Sequence, residues 1–75
     1  MLSVERKIKR VLVANIKKYR MRRRLTQEQA AELASITSKY WQRLEMTSQI
    51  DLPSLKVLFK IADVLNVPAS KLLHK

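Results

Sequence analysis

Thr26–Glu45 reads TQEQAAELASITSKYWQRLE, and this stretch decides the fold. Thr26 can cap a helix that starts at Gln27, while Gln29, three residues on, can reach back to the cap's own backbone donor. Only Ala30, Ala31, Leu33 and Ala34 are placed to face inward before the polar break at Ser35, so this helix is short. Beyond the break Thr37 can act as a second cap. Tyr40, Trp41 and Leu44 then return at helical spacing, which predicts a further short helix from about Ser38 to Glu45. Ala31 is small where two steeply crossing helices must approach each other.

Upstream of this unit, Val4, Ile8, Leu12, Ile16 and Tyr19 recur at steps of four, four, four and three, with Val11 broadening the stripe. That spacing predicts a helix of about four to five turns. Arg6, Lys7, Lys9, Arg10, Lys17, Lys18 and Arg20 crowd its other faces, and Arg22-Arg23-Arg24 places cations where the C-terminal dipole favours them. Downstream, Met46–Leu52 lacks a period and reads as a loop, and Pro53 suits the first turn of the next helix. Leu55, Leu58, Ile61, Ala62 and Leu65 define that fourth helix. Asn66 can make a left-handed stop, Pro68 follows it, and a last turn or two runs through Lys71, Leu72 and Leu73. No strand-like alternation is present, so the fold class is all-α, and residues 1–75 read as one domain with 1–11 an N-terminal extension of the first helix.

Composition narrows the class. Seventy-five residues cannot frame a deep cleft between subdomains, and an apolar content of 47% excludes a disordered tail. Without cysteine there is no disulfide or thiolate metal site, which points to a cytoplasmic setting. The longest apolar run, Val11–Ala14, is too short to span a membrane. The formal charge of +10 implies a polyanionic partner, either nucleic acid or an anionic membrane surface. This charge is unevenly spread: residues 1–25 carry ten cations and one anion, whereas 26–45 carry two cations and three anions. The chain also contains no glycine, so a helix stop such as that at Asn66 must be made without one.

Two short helices across a tight break form a helix-turn-helix, whose second helix can lie in a DNA major groove. The ordered set Ile16, Tyr19-Arg20, Leu25–Gln29, Ala31, Ala34, Ile36, Leu44-Glu45, Pro53-Ser54-Leu55, Lys60-Ile61-Ala62, Leu65 and Leu72-Leu73 resembles the phage-repressor and Cro-like helix-turn-helix family, also called the xenobiotic-response-element family. The resemblance runs from about Leu12 to Leu73 and implies a five-helix, lambda-repressor-like DNA-binding domain with a central helix-turn-helix at 26–45. It implies that Thr37, Ser38, Lys39, Gln42 and Arg43 face base edges or flanking phosphates, that Gln27 holds a phosphate, and that Arg20 pairs with Glu45. Ala30 is smaller and Trp41 larger than the family's usual residues, which suggests that the indole fills volume that Ala30 vacates.

The residue chemistry alone supports the same assignment. Lys39 and Arg43 can donate to guanine O6 and N7, Gln42 can bond adenine, and the Thr37 methyl can meet a thymine methyl. Lys17, Lys18 and Tyr40 are candidate phosphate contacts, although a basic face can equally be a merely solvated one. Trp41 is read as core rather than as a base-stacking platform. Glu28 and Glu32 sit four apart without a partner, and His74 is the lone histidine, so no catalytic, metal or cofactor site is expected. Phe59, Val64, Val67 and Leu73 exceed what one small core needs and suggest a dimer surface. The expected partners are double-stranded DNA and a second copy of the chain, in a transcriptional regulator of repressor type. The alternatives are an antitoxin, which would also bind a toxin or another regulator, and a basic amphipathic segment lying on a membrane surface.

Overall fold

The computed structural model describes residues 2–75, with side chains from Val4 onward, so Met1 of the expected 1–11 extension lies outside the described residues. Five helices follow one another: α1 (Leu2–Arg22), α2 (Gln27–Leu33), α3 (Ser38–Leu44), α4 (Leu55–Leu65) and α5 (Ala69–Leu72). No strand occurs among the described residues.

Side-chain caps set the starts of the middle helices. The Thr26 hydroxyl accepts from the Gln29 amide at 3.0 Å and the Gln29 side chain accepts from the Thr26 amide at 2.9 Å, a complete capping box. Thr37 caps α3 through the Tyr40 amide at 3.0 Å, and Ser54 caps α4 through the Val57 amide at 3.2 Å. Ser54 therefore starts α4, and Pro53 lies one residue before the cap rather than in the first turn as its ring geometry suggested.

Three helix ends share one device. Arg24, Ser35 and Asn66 take φ of 56°, 58° and 60°, and none of them is glycine. After each, an amide reaches back five residues: Leu25 to the Arg20 carbonyl, Ile36 to Ala31 and Val67 to Ala62, at 3.2, 3.0 and 3.1 Å. These are Schellman-type stops, each formed at the steric cost of a left-handed Cβ-bearing residue, about 1–2 kcal/mol.

The core joins all five helices through Leu12, Ile16, Ala30, Ala31, Ala34, Trp41, Leu44, Leu58, Ile61, Ala62, Val64, Leu65 and Leu72. Ala30 and Trp41 are both fully buried in it, as the proposed exchange of volume requires. Several inward assignments fail. Val4, Leu33 and Leu55 are exposed despite their core spacing, because each lies at the end of a helix where its stripe outruns the facing element. Conversely Val64 is buried and Val67 packs against the core, so neither belongs to an exposed apolar surface.

The largest correction concerns α1. Lys9, grouped with the exposed cations, is buried to 2% exposure, and Asn15 is buried beside the core. Asn15 donates to the Leu72 and His74 carbonyls at 2.9 and 2.8 Å, satisfying acceptors that α5 leaves open at its end. Arg23 similarly donates to the Val64 carbonyl, tying the end of α1 to α4.

Candidate nucleic-acid interface

Helix α3 is one short cylinder with two faces. Trp41 and Leu44 lock its inner face into the core, with Tyr40 half-buried against them. At 3.6 residues per turn this orientation leaves Lys39, Gln42 and Arg43 on the outer face, all exposed. Thr37 and Ser38 stand at its N-terminal end, the former exposed and the latter half-buried. Because the Thr37 hydroxyl is committed to capping, its methyl is the group that remains for an apolar contact.

A single carboxylate holds this helix in place. Glu45 follows α3 directly, with its side chain only 3% exposed. One oxygen accepts from Arg20 Nε at 2.7 Å and Trp41 Nε1 at 2.6 Å. The other accepts from Arg20 Nη2 at 3.0 Å and Gln27 Nε2 at 3.1 Å. Arg20 uses its remaining edge on the Leu25 carbonyl at 2.7 Å. One residue from each of α1 and α2 thus converges with Trp41 of α3 on one anion, and all its acceptor sites are filled. Burial pushes the Glu45 carboxyl up, but the bonds from Arg20, Trp41 and Gln27 outweigh it and hold the group below its ordinary value.

Gln27 therefore spends one side-chain donor on Glu45, leaving its second N–H for a phosphate. Lys17 and Lys18 are exposed on α1, a different element from the other candidates. Lys18 Nζ lies 4.8 Å from the Tyr19 ring centroid, and the Arg22 guanidinium approaches the same ring at 5.3 Å. Arg43 donates to Asp51 at 3.1 Å across the 46–54 loop.

Two participants escaped the sequence reading. Asp51 looked like an ordinary loop acid, and Lys9 looked like one of many cations. A signal was present for Lys9, since it lies three residues before Leu12 and seven before Ile16 and so shares their face. Its ammonium donates to the Arg43 and Asp51 carbonyls at 3.0 and 3.1 Å and lies 3.8 Å from the Asp51 carboxylate. Burial lowers the Lys9 pKa and the Arg43 charge adds to this, against the opposing pull of Asp51.

A family model described as a helix-turn-helix domain matches residues 11–74, which include every helix except the first turns of α1. No curated protein shows significant sequence similarity to the chain. Among the described residues no helix is long and apolar enough to cross a membrane.

Proposed function

The chain belongs to the helix-turn-helix family, and on that premise we propose that it is a sequence-specific regulator of transcription, of repressor type, that reads double-stranded DNA with α3. The observation that carries this reading is the outer face of α3, where Lys39, Gln42 and Arg43 project from a helix whose opposite side is locked into the core. Their donors match the guanine and adenine edges of the major groove, with Thr37 and Ser38 beside them. Gln27, Lys17, Lys18 and Tyr40 contact the backbone, which fixes register without reading sequence. Residues 26–45 form the reading unit, and the strongly basic first 25 residues supply salt-sensitive attraction.

The chain acts as a homodimer on a pseudo-palindromic operator. Leu55, Phe59 and Leu73, at 73, 60 and 51% exposure, support this, since such side chains gain from being covered. An antitoxin would use the same surface for a different protein. Binding measured across a salt series tests the division of roles. Alanine at Lys39, Gln42 or Arg43 should relax base preference at one or two positions. Alanine at Lys17 or Lys18 should weaken all duplexes alike and reduce the salt slope by about one. Uniform losses from both sets would defeat the assignment.

A further inference from the structure

Lys9 lies ahead of the residues that match the family model, yet it is bonded to the end of α3 and to the loop that follows. Two of its protons go to the Arg43 and Asp51 carbonyls, and the Asp51 carboxylate faces the ammonium at 3.8 Å, within ion-pair range. The two Asp51 oxygens divide between two cations, Oδ1 facing Lys9 and Oδ2 facing Arg43. A relay therefore runs from a buried ammonium on α1, through a half-exposed carboxylate, to a guanidinium on the outer face of α3. Burying an ammonium is costly, and an apolar residue of similar volume would avoid that desolvation while leaving the Arg43 and Asp51 carbonyls without these bonds. What such a residue could not do is hold Asp51, and through it the Arg43 side chain, in one place.

We propose that Lys9 is a positioning residue for DNA specificity: it fixes Asp51, which orients the Arg43 guanidinium and presents its free edge to one base pair. Arg43 has five N–H donors, and Asp51 takes one of them. The rest stay available for a guanine edge, and the side chain enters the groove with its rotamer already restricted. Lys9 itself, buried under the loop, touches no DNA. This inference rests on the reading of Arg43 as a base contact, so its test carries a readout that does not depend on DNA.

The experiment uses the full chain as wild type, Lys9→Met, Lys9→Arg, Asp51→Asn and Arg43→Ala. Order of the Arg43 Nε–Hε bond is measured by NMR without DNA. Competition is then measured between a bound duplex and its single-base variants. The expected result is that Lys9→Met and Asp51→Asn both loosen Arg43, and Lys9→Arg, which can still donate to both carbonyls, restores part of the order. With DNA, discrimination should fall about fivefold at the base pair where Arg43→Ala also loses it, and stay unchanged where Lys39→Ala or Gln42→Ala act. Unchanged Arg43 order and unchanged preference in folded Lys9→Met would overturn the proposal. If Arg43→Ala alters no base preference, the base-contact reading fails, while the NMR order still decides whether Lys9 positions Arg43. Should Lys9→Met not fold, Lys9→Gln, which removes the charge facing Asp51 but keeps an amide donor for the carbonyls, takes its place, and unchanged Arg43 order and preference there would overturn the proposal.

Discussion

Helix α3 is bracketed by two carboxylates that do different work. Glu45 is buried, accepts four hydrogen bonds and joins α1, α2 and α3 at one point. Asp51 is 40% exposed, sits in a loop and is shared between Lys9 and Arg43. The same functional group thus gives structure on one side and direction on the other. Removing a partner from the buried site strands a charge that water cannot reach, whereas removing one at the exposed site leaves solvent to take over.

The sharpest way to break this contrast is Arg20→Ala, which leaves Glu45 buried with its charge partner gone. It should cost about 3–5 kcal/mol in urea unfolding, a large part of what a chain of this size has. Arg20→Ala with Glu45→Ala should cost less than the two single changes added together. Strict additivity would mean that the pair is not coupled. Next in size is Trp41→Phe, which keeps most of the packing but removes one donor from Glu45, at about 1–3 kcal/mol. Arg43→Ala, which breaks the exposed half of the Asp51 site, should change stability by no more than about 1 kcal/mol, and a larger loss would erase the distinction between the two sites.

Acid tests the buried carboxylate as well. The Glu45 pKa is lowered in the folded chain, so its contribution is fully present above the ordinary carboxylate value and is lost as pH falls through the lowered one. Stability measured down a pH series should decline across that window in the wild type. Glu45→Gln, already destabilised, should decline less steeply. An equal slope in both would show that Glu45 carries no pH-linked stability.

The smallest expected effect is a gain. Ser35→Gly relieves a left-handed Cβ-bearing residue in the turn between α2 and α3 and should raise stability by about 1 kcal/mol. A loss would mean that the serine side chain compensates for its backbone.

What was legible in the sequence is what depends on neighbours along the chain. The Thr26–Gln29 capping box, the Thr37 cap and the left-handed stop at Asn66 follow from residue types within five positions of each other. The outward placement of Lys39, Gln42 and Arg43 follows from the period of Trp41 and Leu44. Lys9 and Asn15 were not legible in the same way, because their partners are backbone carbonyls 34 to 59 residues distant, and a carbonyl has no letter in the sequence. Hydrophobic periodicity assigns a lysine to solvent by default, and only the folded chain shows that acceptors are waiting for it. Val4 and Leu55 erred the opposite way, as apolar residues whose stripe continues past anything it can pack against.

Whether α3 reads base sequence is decided by selecting bound duplexes from a random pool and measuring the mass of the complex. The expected product is an inverted repeat whose half-sites lie about one helical turn apart, bound by two copies of the chain. Recovery of unrelated duplexes with no shared sequence would contradict it.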